Sequence, residues 1–135
     1  MRRKPLRVVV AALAFLSLAA TAWAEKVRVT GCFTNMRWVG DAGDVLGMEV
    51  RILYSLNPDG VSGDYWVLFQ DAQGAPQAPV LVKARLSGQA LEFTVPASSG
   101  DEGTFKGTVT GTALEGAFSG VREPIRLARG KSYWE

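Results

Sequence analysis

Ser87-Gly88-Gln89-Ala90-Leu91-Glu92 and Thr110-Gly111-Thr112-Ala113-Leu114-Glu115 are one phrase written twice. Each is a hydroxyl residue, a Gly-x pair and an alternating run. A two-residue loop with glycine first is a type II′ turn, whose twist matches that of the strands it joins. With Gly111-Thr112 as the loop, Val109 faces Leu114, Gly107 faces Gly116 and Phe105 faces Phe118. With Gly88-Gln89 as the loop, Leu86 faces Leu91, Ala84 faces Phe93 and Val82 faces Val95. In both hairpins one face is apolar. The other carries Lys83, Arg85, Glu92, Lys106, Thr108 and Glu115. Side chains alternate along a strand, so one face suits a core and the other suits water. The pattern predicts a twisted antiparallel meander and carries no chemistry of its own.

Working outward, the alternation predicts eight strands. The first covers Lys26–Phe33 and runs on toward Val39 past a break near Gly31. The second is Val45–Ser55, where Met48, Val50, Ile52 and Tyr54 alternate with Glu49 and Arg51. The third is Tyr65–Gln70. Val80–Leu86 and Ala90–Pro96 form one hairpin, and Thr104–Val109 and Ala113–Ser119 form the other. Ile125–Arg129 is the last. Gly40–Asp44, Asn57-Pro58-Asp59-Gly60, Asp71–Pro79 and Ala97–Gly103 read as turns or loops. No stretch carries a helical apolar period. Connections this short pair consecutive strands, and closing the sheet removes its two edges. The expectation is an all-β, antiparallel up-and-down meander, a closed or nearly closed eight-stranded barrel. The alternative is a two-sheet β-sandwich with a Greek-key crossing.

The first 24 residues read as a secretory signal peptide. Arg2, Arg3, Lys4 and Arg7 precede the apolar run Val8–Ala20, and Ala22-Trp23-Ala24 supplies the small-x-small cleavage pattern before Glu25. Removing these 24 of the 135 residues leaves 111, a single domain over 25–135. Four of the 15 basic residues leave with the leader and none of the 13 acidic ones do. Eleven against 13 is a net charge of −2, so the basic pI belongs to the leader and nucleic acid is not an expected partner. The mature chain has no apolar run that could span a membrane. The expected location is the periplasm or the medium. Cys32 is the only cysteine, so no internal disulfide forms. It reads as a small half-buried strand residue, or as a thiol linking two copies in an oxidising compartment.

The meander resembles the calycin architecture of lipocalins and avidin-type barrels, a group that commonly holds small or apolar ligands. The lipocalin Gly-x-Trp at the start of the first strand is replaced here by Lys26-Val27-Arg28-Val29, with Trp38 at the far end. The segments Gly31–Arg37 and Ile125–Trp134 are similar to small exported bacterial β-barrel proteins, which implies a compartment and no activity.

The chain has no histidine, which removes Ser-His and Cys-His pairs and the commonest metal ligand. Ser132 beside Lys131 is a weak catalytic candidate, because strand neighbours point to opposite faces. Asp41/Asp44 and Asp101/Glu102 lie in glycine-rich loops, where acidic residues form turns. Calcium needs six or more oxygen ligands. No catalytic residue, metal or cofactor is expected.

Two binding readings follow. Gly107 opposite Gly116 removes core volume, and something must fill it. A large side chain from the opposite wall, Phe69 or Tyr54, would fill it. The other occupant is a small apolar ligand held among Tyr54, Phe69, Phe105, Gly107, Gly116 and Phe118. The second reading is a protein-interaction module, an inhibitor or an envelope assembly partner. Trp66 and Leu68 point outward beside Val67 and Phe69, Tyr133-Trp134 could cover them, and Asn35, Arg37 and Trp38 suit a binding rim. The partner is then a small apolar molecule or another envelope protein, and the chain is a monomer or a weak dimer. An enclosed void favours the ligand, and a filled barrel favours the module.

Overall fold

A computed structural model of the chain describes residues 25–41, 43–96, 103–121 and 123–135. The expected leader and the Asp101/Glu102 pair lie outside the described residues. The strands are β1 Gly31–Thr34, β2 Arg37–Val39, β3 Asp44–Leu56, β4 Gly63–Gly74, β5 Val80–Ser87, β6 Ala90–Val95, β7 Gly103–Val109, β8 Ala113–Phe118 and β9 Ile125–Gly130. All pairings are antiparallel, in the order β1-β9-β8-β7-β6-β5-β4-β3-β2, and β1 pairs β3 to close the barrel. The two-sheet alternative is thereby overturned.

The extra short strand is part of the first one. β1 and β2 both pair with β3, in one unbroken register from Gly31↔Ile52 through Thr34↔Glu49 to Val39↔Asp44. Asn35 bridges the gap. Its N–H donates to the Met48 carbonyl at 3.1 Å, and its Oδ1 accepts the Met48 N–H at 2.8 Å. Barrel closure thus depends on eight strand positions with one of them in two pieces.

The duplicated hairpins take the expected register. Ala84 pairs with Phe93, Leu86 with Leu91, Phe105 with Phe118 and Gly107 with Gly116. The β5–β6 ladder ends at Ala84/Phe93, and Val82 pairs with Val67 of β4 rather than with Val95. The turns differ from each other. Gly88 has φ +60°, as a II′ turn needs, but Gly111 has no positive φ. The Thr110 hydroxyl accepts the Ala113 N–H at 3.0 Å, while the Thr110 carbonyl accepts from Arg129 Nη2 at 2.9 Å. Arg129 has diverted the carbonyl that a tight hairpin normally uses, and the threonine side chain replaces it.

Three boundaries move. Residues 25–30 are not strand, because the chain leaves the sheet at Gly31, φ +137°. β4 continues to Gly74 through a stretch that reads as loop, held by the twelve-pair ladder with β3 from Val45↔Gly74 to Leu56↔Gly63. A bridge of Ala72 to Pro76 and a bond from Gln77 N–H to the Asp71 carbonyl at 2.8 Å then turn the chain.

The interior is packed with rings. Phe69, Phe93, Phe105 and Phe118 form one cluster with centroids 5.1–6.2 Å apart. Phe33, Val50, Ile52, Val67, Leu91, Val109, Leu114 and Leu127 complete the core. The glycine pair is covered by neither the opposite wall nor open space. A Cβ on Gly107 would lie 2.7 Å from Phe105 Cε1, and one on Gly116 would lie 2.7 Å from Phe105 Cζ. The Phe105 ring folds over both bare backbones from its own strand, as aromatic side chains do for strand glycines.

The turn difference is testable. Gly111 has open space at Cβ and an ordinary φ, so Gly111→Ala should stabilise by about 0.4–1 kcal/mol through the unfolded chain. Gly88→Ala forces alanine to φ +60° and should cost about 1–2 kcal/mol. Urea melts of both variants should move in opposite directions. A shared sign would mean that the two turns are alike.

Candidate functional site

The outer surface divides into two unlike halves. Over β5–β9 it is charged, with Glu92 between Arg85 and Lys106 and an Arg126–Glu115 pair at 2.9 Å. Over β2–β5 it is mixed, with apolar side chains standing beside the Arg51–Glu49 and Lys83–Asp64 ion pairs, each at 3.0 Å. Pairing sets Leu53 beside Trp66, and Leu68 between Arg51 and Leu81. Leu81 is 57% exposed and Leu53 46%, while Trp66 and Leu68 are half-buried.

The chain's last residues close part of this face. After β9 the tail Lys131–Glu135 doubles back across the outside of β3, fixed by Glu49. This carboxylate sits on the outward side of β3 yet is only 3% exposed. It accepts the Ser132 hydroxyl at 2.7 Å, the Tyr133 N–H at 2.8 Å and Arg51 Nε at 3.0 Å. Tyr133 then packs on Met36, Val45 and Ala72, a second small core on the outside of the barrel. Trp134 donates its indole N–H to Gln70 Oε1 at 2.8 Å and remains 54% exposed. Between Trp134 and Leu68 lies a depression of about 230 Å3, also lined by Glu49, Arg51, Gln70 and Pro79.

Burial works to raise the Glu49 carboxyl. The Tyr133 N–H, the Ser132 hydroxyl and Arg51 outweigh it and hold the group below its usual value of 4.5. Cys32, opposite Arg51 on β1, is half-buried. Burial, then the charge of Glu49, push its thiol up to about 11. The thiolate needed for nucleophilic or redox chemistry is therefore scarce at neutral pH.

Of the partner-binding candidates, Leu68 and Trp134 share the depression and Tyr133 packs on Trp134, while Trp66 lies farther along β4 between Leu53 and Lys83. Trp38 lies on the same sheet beside Val45, 59% exposed, its ring near Gly40 and Gly43. Asn35 is spent on the strand break, and Arg37 is exposed in β2. Of the ligand-binding candidates, Phe69, Phe105 and Phe118 meet in the ring cluster with Gly107 and Gly116 under Phe105. Tyr54 does not join them. It is 47% exposed at the far end of β3, its ring tilted 53° against Tyr65 at 4.9 Å and lying over Gly63. Ser132 is committed to Glu49, and Lys131 is exposed. Among the described residues no three His, Cys, Asp or Glu side chains gather as a metal site.

Sequence reasoning missed Glu49 and Arg129. Arg129 sits at the barrel end, its guanidinium 4.5 Å over the Phe33 ring. It donates to the carbonyls of Thr30 at 2.8 Å, Thr110 at 2.9 Å and Arg28. A charged residue in the inward phase of the last strand was the available signal for it. No family model, curated protein or solved structure matches the chain.

Glu49 ties stability to acid. Its native pKa is lowered, so its contribution is complete above the unfolded value of 4.5 and is lost as pH falls from there through the native value. Glu49→Gln should cost about 2 kcal/mol at neutral pH and flatten that acid limb. Iodoacetamide should label Cys32 slowly in the native protein and faster in Glu49→Gln, followed by intact mass. Equal rates would separate the thiol from the carboxylate.

Proposed function

We propose that the chain is an exported, non-enzymatic interaction protein that docks another envelope protein on its outer face over β3–β5. The observation that carries this reading is the placement of apolar side chains. Those inside the barrel satisfy one another, ring on ring, and those outside on one half do not. Leu68 and Trp134 line the depression beside the tail, Leu81 pairs with Leu68, and Leu53 pairs with Trp66 farther along the same face. Charged cross-strand pairs surround these side chains, Lys83–Asp64 beside Trp66 and the Glu92 and Glu115 pairs over β5–β9. The Phe105 ring lies over the backbone of both glycines, which supports the interaction reading over a small apolar ligand held at Gly107/Gly116. The basic leader with its apolar run and Ala22-Trp23-Ala24 supports export, with Glu25 as the first mature residue.

The test is a photo-crosslinking side chain placed at Leu81 and, as control, at Arg126, in cells that export the protein. The expected result is a discrete protein adduct from Leu81, none from Arg126, and an intact mass that begins at Glu25. Absence of an adduct at Leu81, together with a small apolar molecule retained in native mass spectrometry, would return the function to ligand binding.

A further inference from the structure

The first strand is shorter than the strand it closes on. β3 pairs with β1 only as far as Ile52↔Gly31, while its ladder with β4 continues to Leu56↔Gly63. The stretch Leu53–Leu56 therefore has a partner on one edge. The groups on the other edge can be identified. Met48 directs its N–H and carbonyl to Asn35 on the β1 side. These groups alternate along an antiparallel strand, so the same edge is served by Val50, Ile52, Tyr54 and Leu56. Among the described residues no strand pairs with that edge at Tyr54 and Leu56. No charge or proline blunts it, the usual protection of a strand edge. Leu53, Tyr54 and Leu56 are exposed.

The place is also a groove. A cavity of about 420 Å3 lies there, lined by Arg28, Thr30, Gly31, Cys32, Arg51, Ile52, Leu53 and Tyr54. Gly31 lines it where the chain turns out of the sheet and Thr30 meets Arg129. A strand added antiparallel to β3 runs in the direction of β1 and meets Gly31 head-on. It cannot continue in line along β3, so it ends there or turns out of the sheet as this chain does at Gly31. Two guanidiniums, Arg28 and Arg51, stand at that end. Arg51 holds Glu49 and, at 3.7 Å, Glu135. Arg28 makes no ion pair among the described residues, and neither does the neighbouring Arg129. A parallel strand would bring an α-amino group to these cations.

The geometry points to capture of the free C-terminus of a partner protein, added as a short antiparallel strand to the Leu53–Leu56 edge with its α-carboxylate against Arg28. Strand addition supplies backbone bonds, and the carboxylate fixes direction and register. The residues opposite Tyr54 and Leu56 are apolar, since they cover those side chains. This rests on the reading of the chain as an interaction protein and specifies what the partner presents.

The probe is acetyl-Val-Thr-Val-Val with a free carboxylate, compared with its C-terminal amide and with the peptide N-methylated at alternate amides. Binding is followed by amide shifts of the native protein and of Arg28→Gln. The free acid should shift Gly31, Tyr54 and Leu56 and bind at least about tenfold more tightly than the amide. Arg28→Gln should remove that preference, and N-methylation should abolish binding to both. Equal affinity of acid and amide overturns the proposal, as does silence at Tyr54 and Leu56. Shifts confined to Trp66, Leu81 and Trp134 overturn it while leaving the outer-face reading intact. Cross-strand contacts between Val29 and Tyr54 in the free protein also overturn it, because the chain's own N-terminal segment would then occupy the edge.

Discussion

Closure of the barrel depends on β1, its shortest full-depth strand. Cys32, Phe33 and Thr34 pair with β9 on one side and with β3 on the other. Little backbone bonding holds so short a strand, and the molecule adds side-chain contacts on both faces. Inside, Phe33 is fully buried and lies under the Arg129 guanidinium. That guanidinium ties the chain before β1 to the β7–β8 turn through three carbonyls. Its Nε is buried without a partner among the described residues, at a cost of about 1–3 kcal/mol, which the cation–π contact and the other bonds offset. Outside, Glu49 faces Thr34 and fastens the tail over the same region. The first and last strands are joined by ladder bonds and by these two charged residues.

The hairpins were legible because their information is local. Period-two alternation, a short loop and the cross-strand pairing of Phe105 with Phe118 leave one consistent register. What surrounds them was not legible. Val27 and Val29 alternate like strand residues, and only the φ of Gly31 shows that the chain has already left the sheet. The Gly111 turn follows the Gly88 pattern in sequence, but Arg129 reaches across and changes its bonding. β4 passes through Gly74 because β3 is there to pair with it, although glycine and proline nearby signal a loop. Glu49 binds Ser132 from 83 positions away, and no spacing rule reaches that far.

The same division applies to the candidate site. Trp66 and Leu68 were visible as outward apolar residues in an otherwise inward-facing strand. The meeting of Leu68 with Trp134 depends on the tail reversing direction, which Glu49 enforces. A buried carboxylate on an outward face is costly unless its lone pairs are filled. Here the hydroxyl, the amide and the guanidinium fill them, so the tail is selected by the charge beneath it. The tail covers Met36, Val45 and Ala72 with Tyr133 and leaves Leu53 and Leu81 open. The boundary between covered and open surface is therefore set by one glutamate rather than by hydrophobicity alone.

Unequal strand lengths account for the rest of the exposed surface. β3 has 13 residues and β4 has 12, against 4 in β1. At about 3.3 Å per residue, β3 and β4 extend far beyond the ring that the other strands can close. Excess length at one end becomes the outer core under Tyr133, through Val45 and Ala72. At the other it becomes an overhanging hairpin, with Tyr54 over Gly63 and Leu56 and Val61 in solvent. A strand that outruns one neighbour necessarily carries unpaired backbone along that edge. The core is complete without the overhang, because Val50 and Ile52 are the last β3 residues that it needs. The extra length of β3 and β4 thus contributes surface rather than core, and on that surface the apolar side chains and the open edge lie beside the Arg28 and Arg51 guanidiniums.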